Sequence, residues 1–323
     1  MGNDTALILN DLHLRMECLS IIETGIAFRY ATLLDLHCRM QLYMSCIEAC
    51  IVHQSGVRFV KVPGSVFIMD VSQSSSISPP TKLTQYLREM VSWLRAISKL
   101  NPQAIALTHR FGDEVLFVAR GFETAYLFAF YITMTWPFAK QPPYFGVAYG
   151  DLLTDVPASE DLETWNSPIV KWARVAADEL KREKSAHRKW LLFGNEGGAD
   201  QAVSEILNEY ALIQDRFFKL QTEAEYLASA LYAINGIQEW VARELEKNPS
   251  TISLQIRKSN VDVLLATKNR VVKTLHERML SQLQNTDTEG ERDPRGLEAQ
   301  IQNELKKHVK MFLSYTVTVK WDK

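Results

Sequence analysis

The stretch SVFIMDVSQSSSISPPTKLTQYLREMVSWLRAISKLNPQAIALTHRFGDEVLFVA, residues 65–119, decides how the rest of the chain is read. It divides into a strand (65–70), a Ser-rich loop, a helix (81–100), a strand (104–109), a turn at Phe111-Gly112-Asp113 and a strand (114–119). A helix over 122–136 and a strand over 144–149 follow, which makes the order βαββαβ. VFIMD is an apolar run ending in a carboxylate, the pattern of a buried strand with an exposed tip. Leu83, Leu87, Met90, Leu94 and Ile97 recur at steps of four and three and make one helix face, which Asn101-Pro102 ends. Gly112 permits the tight turn and leaves Asp113 at its tip. With these strands as neighbours in an antiparallel sheet, Asp70 and Asp113 converge at one edge, where two divalent cations can be held. A lone aspartate at a strand end is ordinarily just solvated. The shared edge and the small-residue loop beside it, whose amides can approach a ligand, set this pair apart.

Working outward, Ser167-Pro168 opens a further helix, with proline near its first turn. Lys171 and Arg174 lie three apart on it and so share a face. KWLLF (189–193) reads as a last short strand, and Gly194, Gly197 and Gly198 mark a boundary. The fold class expected is α+β, with three parts: an N-terminal helical segment (1–56), a βαββαβ domain with an antiparallel sheet (57–195) and a C-terminal helical domain (196–323). From Ile206 the apolar positions step through Tyr210, Ile213, Phe217, Leu220, Ala224, Leu227, Leu231 and Ile234 to Val241 and Leu245, a coiled-coil seam that Asn235-Gly236 is able to break. A helix over 261–283 can pack against it, so an intrachain hairpin competes with dimerisation. SYTVTVKW (314–321) alternates and is expected to form a small strand.

Composition narrows the classes. With 46% apolar and 23% charged residues the chain has the make-up of a soluble globular protein, and its net charge of −2 points to neither nucleic acid nor a membrane surface. The first twenty residues lack a basic start and a cleavage site, and no apolar run approaches a membrane span. Cys18, Cys38, Cys46 and Cys50 are crowded into the first fifty residues, which suits a reducing cytoplasm better than a disulfide framework. Cys46, Cys50 and His53 would share a helix face, but their spacing fits core packing rather than a zinc site.

Four segments together resemble the class III nucleotidyl cyclases, across roughly residues 60–195: VFIMDVSQSSSIS for the first strand and loop, FGDEVLFVA for the hairpin, YFGVAYGDL for the later strand, and TWNSPIVKWARVAADEL for the helix after it. The resemblance implies a palm-like (ferredoxin-like) core that converts a nucleoside triphosphate to a 3′,5′-cyclic nucleotide and pyrophosphate, a phosphorus–oxygen lyase working as a homodimer with two magnesium or manganese ions. It implies Asp70 and Asp113 as metal ligands, with the carbonyl of Val71, and assigns phosphate contacts to loop amides at Ser72, Ser74 and Ser75. His109 stands near a base-selecting position of the family, and is equally readable as a strand-end histidine. The chain departs from the family where its asparagine aligns with Lys171 and its arginine with Val175, which leaves Lys171 and Arg174 as candidates to neutralise phosphate charge. That divergence is similar to the bacterial pyrimidine (uridylate and cytidylate) cyclases of antiphage Pycsar signalling, whose product acts on a separate cyclic-nucleotide-sensing effector. Two other expectations stand beside it. One is a degenerate cyclase acting as scaffold or sensor. The other is a GGDEF-like or CRISPR-palm enzyme making a di- or oligonucleotide.

Overall fold

A computed structural model describes residues 62–72, 80–101, 104–109, 113–139, 141–152, 156, 162, 165–184, 187–195, 201–283 and 294–318. The expected N-terminal helices, the cysteines, Ser74, Ser75 and the Phe111-Gly112 part of the turn lie outside the described residues. The remainder is α+β and mostly helical, with one five-stranded mixed sheet and, among the described residues, nine helices. Strand β1 (Val62–Val71) leads through α1 (Pro80–Leu100) to β2 (Ile105–His109) and β3 (Val115–Arg120). Helix α2 (Thr124–Met134), β4 (Pro143–Leu152), α3 (Pro168–Arg182) and β5 (Leu191–Gly194) follow.

The strand order is β2-β3-β1-β4-β5, with β1 antiparallel to both β3 and β4. Strand β5 runs parallel to β4, so the sheet is not purely antiparallel as expected. The connection through α3 explains this, because a helical crossover returns the chain in its original direction.

Alternation along β1 sorts its residues between two layers. Phe67, Met69 and Val71 face the larger core beneath α1 and α2, while Val66 and Ile68 face the smaller core under α3. Each of the five periodic residues predicted for α1 is buried. Helix α2 is buried on every side, the mark of a helix covered by a second layer. That layer comprises α4 (Gln201–Leu220), α5 (Glu223–Asn235), α6 (Gln238–Glu244), α7 (Pro249–Ser259), α8 (Val261–Leu283) and α9 (Pro294–Thr318). Helices α8 and α9 both touch α2, and everything from β1 to α9 lies in one compact unit, Val60–Lys323.

Two expectations for this region are corrected. The 206–245 seam is not continuous. Thr222 caps α5, accepting from the Glu225 N–H while the Glu225 carboxylate takes the Thr222 N–H, and Gly236 at φ 72° closes α5 in the left-handed conformation. SYTVT (314–318) is not a strand but the end of α9, and the rest of the expected strand lies outside the described residues; Val309, Phe312, Tyr315 and Thr316 bury one helical stripe at steps of three, three and one. Tertiary burial there overrides the β-propensity of its alternating residues.

Candidate active site

Helix α3 lies unusually close to the sheet, and this closeness builds the site. A Cβ on Gly146 of β4 would stand 2.1 Å from the Ala173 carbonyl oxygen, and one on Gly194 of β5 would stand 2.4 Å from that of Trp172. Backbone therefore packs on backbone, with the small side chains Ala173, Ala176 and Ala177 buried on the contact face. Lys171, Arg174, Asp178 and Lys181 step along α3 by three, four and three residues, hence on one side.

Asp70 follows Val66 and Ile68 on the α3 side of β1 and is paired by register with Tyr144 of β4. Its Oδ2 accepts hydrogen bonds from the Tyr144 hydroxyl at 2.6 Å and the Lys181 ammonium at 3.0 Å, while Oδ1 accepts from the Val71 N–H at 2.8 Å. Burial pushes the Asp70 carboxyl up, but the hydrogen bonds from Tyr144 and Lys181, the Lys181 charge and the Val71 N–H together outweigh it and hold the group below the ordinary aspartate range. The carboxylate is thus kept ionised. Burial and the same carboxylate push the Tyr144 hydroxyl far up. The Lys181 ammonium is raised by its hydrogen bond and attraction to Asp70, and more weakly by Asp113. By register Met69 stands opposite Val115, so Asp113, two residues before Val115, lies at the same end of the sheet as Asp70.

The other expected residues fall around this pair. Arg174 makes a two-pronged contact with Glu114, at 3.0 and 3.2 Å, so its guanidinium is committed next to the β2–β3 turn rather than to Asp70. Lys171 is exposed on α3. His109 ends β2 half-buried, opposite Val115. Ser72 does not extend an amide into space: its N–H bonds the Pro142 carbonyl at 3.1 Å, and its hydroxyl accepts from Arg188 at 2.8 Å. Arg188 also stands 4.7 Å from the centre of the Tyr144 ring and donates to the carbonyls of Leu180, Lys181 and Glu183, which locks the end of α3 over the sheet.

Sequence reading missed Tyr144, Glu114, Lys181 and Arg188. Lys181 was accessible, because it continues the Lys171 and Arg174 face by two further steps. Tyr144 became visible only with the register.

Among the described residues no three His, Cys, Asp or Glu side chains gather as a cation site, and no helix is long and apolar enough to cross a membrane. Two carboxylates still fit magnesium or manganese in kind, since such ions bind through one or two carboxylates together with water and substrate phosphate. The Lys181 ammonium now occupies Asp70 Oδ2, so a cation binding there would have to displace it. Compared with known protein families, curated proteins and solved structures, the chain matches none.

Proposed function

We propose that the protein is a nucleotidyl cyclase, converting a nucleoside triphosphate to its 3′,5′-cyclic monophosphate and pyrophosphate. The observation that carries this is Asp70 at the carboxyl end of β1, bound by Tyr144 and Lys181, with Asp113 in the turn that leads into the neighbouring β3. The βαββαβ order and the strand sequence β2-β3-β1-β4 support the palm-like core that the four motifs suggest. Asp70, Asp113 and the Val71 carbonyl would hold the metal. Bound there, two magnesium or manganese ions supply neutralisation of the triphosphate and acidify the sugar hydroxyl.

The chain's own residues do the rest. The 3′-oxygen bonds to the α-phosphorus as the bond from that phosphorus to the bridging oxygen breaks, pyrophosphate leaves, and the hydroxyl proton passes to solvent. Lys171 and Lys181 meet the phosphate charge, Lys181 by exchanging Asp70 for it. Arg174 instead braces the β2–β3 turn through Glu114. The active form is a homodimer, and Ile206, Ile213 and Leu220 support this: they lie seven apart on α4 and are 55%, 41% and 75% exposed. The flanking Glu209 and Arg216 are exposed and opposite in charge, so two antiparallel copies of α4 complement one another. The further likeness to pyrimidine cyclases of antiphage defence makes the uridine and cytidine triphosphates the first substrates to try.

The test is incubation of the purified chain with each of the four triphosphates and manganese, with product mass read by mass spectrometry. Cyclic product that disappears in Asp70→Ala supports the reading. No cyclic product from any triphosphate, with an authentic cyclase active alongside, removes it. A linear or cyclic dinucleotide would instead indicate the GGDEF-like alternative.

The Arg174–Glu114 pair and the occupied Asp70 favour a second reading, a degenerate cyclase serving as scaffold. Calorimetry separates the two. A scaffold with a dead site binds no triphosphate in a manganese-dependent manner.

A further inference from the structure

Beside Asp70 a cleft of about 920 Å³ opens between the end of the sheet and the junction of α4 with α5, and no sequence motif drew attention to it. Its volume lies at the upper end of the range of small-molecule sites. The cleft is lined at one end by Tyr144, which bonds Asp70, and by Ser72 and Arg188, which bond each other. From there its walls are aromatic, with Trp136, Trp190 and Phe218 on the way to Leu227. Three cations, Arg188, Lys189 and Lys219, line it as well. Acceptors are present too: Asp215, whose side chain is 7% exposed and bound to Lys219 at 2.8 Å, and Glu223 at the start of α5.

This combination selects a ligand. Flat aromatic walls favour a planar ring, carboxylates accept from ring amino or imino groups, and cations at the mouth favour an anionic tail. We propose that this cleft takes the base and ribose of a nucleotide whose phosphates extend past Tyr144 and Arg188 toward Asp70, so that the base is read within one protomer by α4 and α5. The inference rests on the reading of Asp70 and Asp113 as the phosphate end.

Two variants close the cleft without touching Asp70. Ala224→Trp starts from an exposed lining position, and Leu227→Trp from a half-buried one. Calorimetry on the full chain with manganese compares a nucleoside triphosphate with inorganic triphosphate, which has the same phosphates and no base. Circular dichroism identifies the variants that fold. The expected result is at least a tenfold weaker nucleoside triphosphate affinity in each folded variant, unchanged inorganic triphosphate affinity there, and loss of both in Asp70→Ala. Unchanged nucleoside triphosphate affinity in the closed variants, with loss in Asp70→Ala, overturns the cleft assignment and leaves the reading of Asp70 standing. Equal weakening of both ligands overturns it as well, since the effect would then not depend on the base. No binding of either ligand to the wild-type chain overturns both.

Discussion

Replacing Tyr144 by phenylalanine isolates the contact on which the site's electrostatics depend. The hydroxyl donates to Asp70 at 2.6 Å, and the Asp70 side chain is only 15% exposed, so water screens the bond little. Hydrogen bonds to a charged partner contribute about 1.5–3 kcal/mol net. Asp70 keeps the Val71 N–H and the Lys181 ammonium, so the lower part of that range applies, about 1.5–2 kcal/mol at pH 7. The dependence on pH has a definite sign. Because the folded carboxyl titrates below its ordinary value of 3.8, the stabilisation is fully present above that value and is lost as pH falls through the lowered one. A double-mutant cycle with Asp70→Asn, read as urea unfolding by tryptophan fluorescence, should give a coupling of about 1–2 kcal/mol at pH 7. The coupling should fade toward the lowest pH at which the wild type stays folded. Additive effects at pH 7, or a coupling that does not change with pH, would refute the argument that an ionised Asp70 is held by Tyr144.

Three further outcomes are expected. Gly146→Ala puts a Cβ 2.1 Å from the Ala173 oxygen and 2.4 Å from the Ala177 nitrogen, so α3 must lift, at a cost of about 3 kcal/mol; the melting temperature should fall, and manganese-dependent nucleotide binding with it. Lys268→Met strips the partner from Glu298, which also accepts from the Tyr131 hydroxyl, at a cost of about 3–5 kcal/mol; Lys268→Met with Glu298→Met should recover most of it in the same unfolding assay, because the stranded charge is gone. Ile213→Glu should shift the protein from dimer to monomer in sedimentation velocity without lowering its melting temperature, and a wild type that is monomeric at micromolar concentration would remove the α4 contact.

Periodicity and turn chemistry act over a few residues, and the features that depend on them were legible in the chain. Leu83 to Ile97 mark the buried face of α1, VFIMD announces a buried strand with a carboxylate at its tip, and the two hairpin strands flank Asp113 as expected. The limits of that reading are equally physical. Ile206, Ile213 and Leu220 belong to the same run of three- and four-residue steps as Leu231 and Ile234, yet the first three are exposed and the last two buried. Spacing defines a face, not what covers it. Ser314 to Thr318 read as part of a strand by alternation and became helix because a helical stripe fits the surface offered by α1 and α5.

From the order of its residues alone, this chain determined the succession of strands and helices from β1 to β5, and that a carboxylate would stand at the end of the first strand. Only the folded molecule decided that Asp70 meets Tyr144 and Lys181, that β5 joins in parallel, and that a cleft opens beside them. Those features are set by pairs of residues 74 and 111 positions apart and by two glycines that let one backbone rest on another. No local pattern encodes such pairings, because their energy exists only once both partners have been brought together.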